Sequence, residues 1–444
     1  MVSPITTTIL KKAVAYSIIL ATLCWMVLNY NIEDFRVIIS FVFIILFSAN
    51  GIFAKNRVNY GLFQIFYLFV LFFLGIAPLF QYLEGITLWG GSPFSSIDYA
   101  KTNLLLCSAL ILYELIYRKV YTRSYKLCIG KGLSYSVKTE CISMYLLLLT
   151  SCICSLYIFA FMYGGDIVRM LVRVDAVGDG TGNATGLIGA FFLRPIPAIC
   201  FLLFKYYNKK NILAEIVLLS LMLITNAPTA IPRFAVAAFY IPLVFVYFKS
   251  IHRKYNFALF MVLALLIIFP ILDIVRNENR EYSLVNSFSM MLDGHFDSYQ
   301  MFMRVVSTEY ITYGKQLLGV IFFFIPRSIW MSKPIGSGYL IAHENNYYFD
   351  NLSMNFFGEG YINFGVVGVL IFAIVLAYYN ARVDRKYWIE GYNRSPYFAL
   401  FFGISIGMEF IIMRGALLNV FPAYFSYILS LKFTYELCRV RNSN

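Results

Sequence analysis

Apolar runs of roughly 17 to 23 residues recur along this chain, each long enough to cross a membrane. Short polar stretches separate them up to about residue 275. The pattern then lapses and resumes near 358. A helix rises 1.5 Å per residue, so such a run spans a hydrocarbon core of about 30 Å. Spans are expected at 13–29, 36–53, 60–78, 101–117, 141–163, 186–207, 211–227, 234–250, 256–275, 358–380, 395–413 and 415–437. The runs are continuous rather than alternating, which excludes a transmembrane β-barrel. The fold class expected is all-α: a polytopic integral membrane protein of about 12 transmembrane helices with a large outer loop. Residues 1–275 carry helices 1–9, residues 276–357 form the long loop, and residues 358–444 carry helices 10–12.

Inside the long loop the periodicity changes. Leu284, Phe288, Met291, Leu292 and Phe296 recur at mixed three and four spacing, which predicts an interfacial amphipathic helix over 284–306. The segment 317–325 is apolar but too short to cross. It reads as a re-entrant or membrane-surface element ended by Pro326. Pro334, Gly336 and Gly338 predict a turn-rich connection after it. A second outer loop, 164–185, is rich in glycine but has no following Lys-Ser/Thr, so it is no phosphate-binding P-loop. Arg169 and Arg173 stand there one helical turn apart. No internal repeat is visible.

Composition supports the membrane reading. The 444 residues are 60% hydrophobic and 13% charged, against about 25% charged in a soluble domain. A net charge of +13 would suggest nucleic acid in a soluble protein. Here it reads as the inner-side excess of Lys and Arg that orients membrane helices, and no nucleic-acid partner is expected. With the N-terminus inside, every inner loop is basic, from Lys55 and Arg57 to Arg382, Arg385, Lys386 and Arg394. Both termini are then cytoplasmic and the long loop lies outside. The eight cysteines fall in expected helices or on the inner side, so no structural disulfide is expected. The first apolar run follows Lys11 and Lys12. It is too long for a signal-peptide core and reads as a helix that stays.

A minority of cations stand on or near the outer side, where topology does not need them. Arg414 is among them. Arg194 lies inside the sixth span, ahead of Pro195 and Pro197, where a charge costs about 2.5–3.5 kcal/mol. Arg233 follows two prolines that break the chain at outer membrane depth. Arg276 and Arg280 share one helix face. With Arg194 and Arg233 they suit a cationic vestibule for a lipid diphosphate, since guanidinium grips phosphate in bidentate fashion. The plainer readings are snorkelling for Arg194 and Arg233, and pairing with Asp273, Glu278 and Glu281 for the other two. His343 and Glu344 follow a turn that carries Arg327 and Lys333. Glu359 opens the tenth span between two glycines. It serves there as a helix-end charge or as partner to an arginine or a sugar hydroxyl. No metal-ligand spacing occurs, and no metal or cofactor is expected.

The stretches FIPRSIWMSKPIGSGYL, HE and NLSMNFFGEGYINFG, in the last large outer loop of a chain with this helix count, resemble the oligosaccharide repeat unit polymerases, the Wzy-type O-antigen polymerases of Gram-negative bacteria. Met331 and Asn355 depart from the prolines expected in that pattern. The resemblance implies a metal-independent glycosyltransferase of the integral-membrane C-type class in the bacterial inner membrane. Its substrate would be an undecaprenyl-diphosphate-linked oligosaccharide, with the growing glycan moved onto the next lipid-linked repeat unit at the periplasmic face. A chain-length regulator is an implied partner beside membrane lipids. On this reading Arg276 and Arg327 neutralise the diphosphate leaving group, supported by Arg194, Arg233, Arg280 and Lys333. His343, oriented or replaced by Glu344, receives the acceptor proton. Tyr361 and Trp330 offer faces to sugar rings, unless they are interface-belt aromatics, and Glu359 binds substrate. A lipid-linked oligosaccharide flippase and an O-antigen ligase are the alternatives left open.

Overall fold

The described residues of every expected span fall largely on helix. A computed structural model describes residues 4–30, 33–53, 58–123, 141–171, 189–253, 255–268, 271 and 290–440. Among the described residues, six helices are long and apolar enough to cross a membrane: Phe35–Ile52, Leu62–Leu83, Met144–Met162, Gly189–Tyr206, Phe356–Trp388 and Pro396–Arg414. Shorter apolar helices are Lys12–Trp25, Ile212–Thr225, Arg233–Tyr247 and Asn256–Ile267. The helices Ser96–Arg123 and Leu417–Cys438 fall on the remaining two expected spans. The strand pairing among the described residues is two residues long, Cys141–Ile142 against Arg439–Val440. The chain is therefore all-α.

Polar residues mark where these helices begin. Asp34 accepts the Arg36 N–H at 2.8 Å and Asn211 accepts the Ala214 N–H at 3.0 Å, each satisfying a first-turn donor that the helix leaves free. Apolar composition then carries the helix onward.

The chain divides into two compact units. The first is Met1–Tyr117, Ser283–Tyr378 and Met413–Leu418; the second is Arg118–Tyr282, Tyr379–Ile412 and Asn419–Asn444. The serial division at 275/276 and 357/358 describes order along the chain, whereas compactness gathers segments from both sides of the long loop.

In the first unit, Phe66 stacks on Tyr113 with centroids 3.6 Å apart, and Phe73 on Phe296 at 4.2 Å. The second contact ties the long loop to the Leu62–Leu83 helix. In the second unit, Gly407 lets the Pro396–Arg414 helix press against the Arg233–Tyr247 helix. A Cβ at Gly407 would lie 2.4 Å from the Ala237 carbonyl oxygen. Buried Phe239 meets Tyr427 there at 4.9 Å.

The chain from the long loop into the tenth expected span folds differently from its periodicity in three places. Instead of an interfacial helix over 284–306, the described part holds two short turns, Met290–Leu292 and Gly294–Phe296, then a helix Ser298–Ser307. That helix is buried from Ser298 to Val306 rather than laid on a surface. Its Gln300 and Arg304 side chains are satisfied by protein. The Gln300 side-chain amide donates to Gln81 Oε1 at 3.0 Å and to the Ile86 carbonyl at 2.8 Å, and Gln81 in turn donates to the Met291 carbonyl at 2.9 Å.

Next, the turn-rich connection expected through Gly338 gives way to a helix, Ser337–Glu344. Gly338 serves close packing there, since a Cβ would sit 2.0 Å from the Leu352 carbonyl oxygen.

Finally, the span expected from 358 is interrupted. Phe364 and Gly365 leave helical geometry, with Gly365 at φ +61°, ψ −145°, a region open in practice to glycine alone. The chain bends so sharply that Gly368 returns to Gly360, where a Cβ on Gly368 would lie 1.9 Å from the Gly360 oxygen. A short helical segment, 356–363, thus precedes the span proper, 366–388.

Candidate functional site

The segment 351–363 buries four polar side chains, Ser353, Asn355, Glu359 and Asn363. Ser353 Oγ donates to Asp297 Oδ1 at 2.5 Å, and the Ser353 N–H donates to Asp297 Oδ2 at 3.2 Å. Asn355 donates to the Ser298 carbonyl at 2.7 Å and accepts the Gly358 N–H at 2.8 Å. Ser337 Oγ donates to the Glu359 carboxylate, which also accepts the Leu417 N–H at 2.9 Å. Arg414 Nη2 stands 3.6 Å from Asp297 Oδ1. The Asp297 and Glu359 carboxylates and the Arg414 guanidinium are thereby gathered where the long loop meets the 413–418 segment.

Each element has a local reason to be there. Asp297 directly precedes the Ser298–Ser307 helix, where a carboxylate is favoured by the helix dipole. Asn355 directly precedes the Phe356–Trp388 helix, and its side chain accepts the N–H three residues on, as an N-cap does. Glu359 sits at the N-terminus of a helix other than its own, Leu417–Cys438, whose first residue donates to it.

Arg414 has a different balance. Its side chain is 23% exposed and its Asp297 partner 2%, so the pair is neither a solvated surface bridge nor a sealed one. Arg414 Nε is buried and makes no hydrogen bond. Ser298 Oγ is likewise buried without a partner. Unpaired buried donors are rare in folded proteins, because each forfeits about 1–3 kcal/mol. The cluster therefore holds one carboxylate 3.6 Å from an arginine whose Nε donor is unused.

The residues singled out from sequence separate into several settings. Glu359 and Tyr361 are buried in the 356–363 segment. Arg327 spans its own turn, donating from Nη1 to the Lys333 carbonyl at 2.6 Å and from Nη2 to the Pro334 carbonyl at 2.8 Å. Lys333 Nζ donates to the Phe323 and Ile325 carbonyls at 2.6 and 2.9 Å. Burial, and after it the neighbouring Arg327 charge, holds the Lys333 ammonium below the usual lysine value. His343 and Glu344 end the Ser337–Glu344 helix on its exposed side, with the His343 ring 6.5 Å from Tyr339. Arg276 and Arg280 lie outside the described residues, as does Arg173.

Arg194 and Arg233 belong to the second unit. Arg194 stands at the break between Gly189–Leu193 and Pro195–Tyr206. Its Nε donates to the Thr225 carbonyl at 2.9 Å, at the C-terminal end of the Ile212–Thr225 helix, where a cation is favoured. Tyr163 lies under its guanidinium at 5.5 Å, and Nη2 is buried without a hydrogen bond. Arg233 is half-buried at the first position of the Arg233–Tyr247 helix, where the dipole disfavours a cation.

Sequence reasoning missed Asp297, Ser337 and Ser353. Asp297 was legible only as one acidic residue in a loop. Its partner Arg414 was noticed as an outer cation, but nothing in the chain links two positions so far apart. Among the described residues, no group of three or more His, Cys, Asp or Glu is poised to hold a metal. No family model, curated protein or solved structure matches the chain.

Proposed function

We propose that this chain is a polysaccharide polymerase of the Wzy type. It would move a growing glycan from its undecaprenyl diphosphate to a hydroxyl of the next lipid-linked repeat unit. On this reading about twelve helices cross the inner membrane, both termini are cytoplasmic, and residues 276–357 face the periplasm. The observation that carries the proposal is the Asp297–Arg414 pair, with the Arg414 Nε donor unpaired at the edge of a buried polar cluster. Ionisable groups kept inside a membrane chain are a default sign of function. A mostly buried guanidinium held from behind by a carboxylate is a preorganised donor for anionic oxygen.

In the reaction, the acceptor hydroxyl oxygen bonds to the anomeric carbon as the bond from that carbon to the diphosphate oxygen breaks. The electron pair leaves on the diphosphate, and the hydroxyl proton passes to a base. Arg414 takes the diphosphate charge, the role that the sequence reading gives to Arg276 and Arg327. Asp297 positions Arg414 and Ser353 positions Asp297. His343 or Glu344, both exposed at the end of one helix, receives the proton. The reaction requires no cofactor.

Deleting the gene and separating lipopolysaccharide on a gel tests the reading. Loss of the ladder with a single repeat unit kept on the core is the expected pattern, and Arg414→Ala should reproduce it with protein still in the membrane. Core bearing no repeat unit would point to a ligase. An unchanged ladder would end the proposal.

A further inference from the structure

The segment 315–334 leaves the cluster and presents an apolar surface with no protein against it. Leu318, Ile321, Phe322, Phe324, Ile329 and Met331 are all exposed, Phe324 at 68%, Ile329 at 77% and Met331 at 87%. Six large apolar side chains this exposed on one short stretch form a patch that soluble surfaces rarely carry.

The same stretch satisfies its own backbone. Arg327 covers the Lys333 and Pro334 carbonyls, and Lys333 covers those of Phe323 and Ile325. The Trp330 indole N–H donates to Ser332 Oγ at 3.1 Å. Gly319 closes the base of the loop, since a Cβ there would come within 3.0 Å of Pro334. In water, loop carbonyls are satisfied at no expense to the protein. Two cations turned onto four carbonyls of an irregular loop have a purpose where water is scarce, because unsatisfied backbone is costly at membrane depth.

The anchorage fixes the depth. The Thr312 and Gly314 N–H groups donate to the Ile362 and Asn363 carbonyls at 2.7 and 3.0 Å, and the Leu317 N–H donates to Asn363 Oδ1 at 2.8 Å. Those acceptors end the 356–363 segment, immediately before the bend that starts the 366–388 span. The loop is therefore tied to the point where a membrane-crossing helix begins.

We infer that residues 315–334 form a membrane-inserted wedge whose apolar tip, at Ile329 and Met331, enters the headgroup–acyl boundary of the bilayer. The partner is lipid. Arg327 and Lys333 hold the wedge in shape, and exposed Lys315 lies at its base, where anionic headgroups would meet it. This surface is separate from the Asp297–Arg414 cluster and does not depend on what that cluster does.

The test uses the full chain in nanodiscs of phosphatidylethanolamine and phosphatidylglycerol. A fluorescent amino acid replaces Met331, and in a second protein Ile329. A third carries it at exposed Asp350 as a water-facing reference. Quenching by lipids brominated near the glycerol end of the acyl chain is compared with quenching by aqueous iodide. At Met331 and Ile329 bromolipid should quench strongly and iodide about tenfold less than at Asp350. Iodide quenching equal to that at Asp350, with none from bromolipid, overturns the wedge. Shielding from iodide in native membranes but not in nanodiscs also overturns it and assigns the patch to a protein partner. Size-exclusion elution matching the parent protein confirms that each labelled chain is folded. Because two tip positions are read, failure of one to fold leaves the other decisive.

Discussion

The Glu359 carboxylate accepts the backbone N–H of Leu417 at 2.9 Å while Ser337 Oγ donates to the same oxygen. A side chain from one helical segment thus caps the start of another, Leu417–Cys438, and ties the Ser337–Glu344 helix to both. Glu359→Ala removes the only acceptor seen for two buried donors, which should destabilise the protein by about 1–3 kcal/mol for each one left unsatisfied. Glu359→Gln keeps an acceptor oxygen and should lose less. The ranking is read from thermal melting in detergent; equal melting temperatures for all three proteins would remove the capping role.

The Asp297–Arg414 pair should be asymmetric to mutation. Asp297→Ala strands a guanidinium and leaves the Ser353 hydroxyl and N–H without their acceptor. Breaking a fully buried pair costs about 3–5 kcal/mol; with Arg414 still 23% exposed, about 2–3 kcal/mol is expected. Asp297→Asn preserves the Ser353 contacts and should be milder in stability yet still impair polymer formation. Wild-type chain length in Asp297→Asn would separate the pair from function.

Gly368→Ala should be among the most damaging single-methyl additions in the chain. The added carbon would sit 1.9 Å from the Gly360 oxygen, a backbone atom with no freedom to rotate away. Expression in the membrane and monodisperse elution should both fall sharply. Gly85→Ala, where no atom lies within 4 Å, carries only the strain of φ +63° and should fold. Equal yields of the two would show that the bend before the span is dispensable.

Arg304 clamps two loops of the first unit. It is buried, its guanidinium lies 4.0 Å over the Phe94 ring, Nη1 donates to Ser92 Oγ at 2.7 Å and Nε to Tyr347 Oη at 2.7 Å. Arg304→Ala should raise amide exchange across 88–94 and 345–350 with little change in the Leu62–Leu83 helix. Lys cannot reproduce the fork, so Arg304→Lys should behave much like the alanine variant. Exchange left unchanged in both segments would show that neighbouring aromatic contacts suffice.

His343→Ala addresses the chemistry itself. A general base contributes about 10²–10⁴-fold to the rate, and His343 is exposed at a helix end where its loss should not unfold the protein. Chains should shorten or vanish while the melting temperature stays put. Near-normal polymer would shift the proton transfer to Glu344, to be tested by the same assay.

The sequence was informative where one residue's environment followed from its neighbours. Continuous apolar runs anticipated helix in the described part of each expected span, because a helix satisfies its backbone within the segment and needs no partner to do so. The short apolar stretch 317–325, expected as a re-entrant or membrane-surface element ended by Pro326, holds a helix, Lys315–Ile321, that stops short of that proline. The expectation of a surface helix over 284–306 failed because periodicity reports only which residues avoid water. It does not say that Gln300 and Arg304 will find Gln81 and Ser92 far back along the chain. The unbroken tenth span failed at Gly365, since glycine in an apolar run is tolerated in a helix and only the surrounding chain decides whether it bends.

Class and periodicity, then, belonged to the sequence alone: all-α, with helices long and apolar enough for a bilayer, since backbone satisfaction and apolar transfer are local quantities. Which charges meet was decided only in three dimensions. Arg327 and Lys333 turn onto carbonyls of their own loop, while Asp297 finds Arg414 and Glu359 finds Leu417. Such pairings depend on desolvation and on the distance between atoms remote in the chain, and neither exists until the helices have packed.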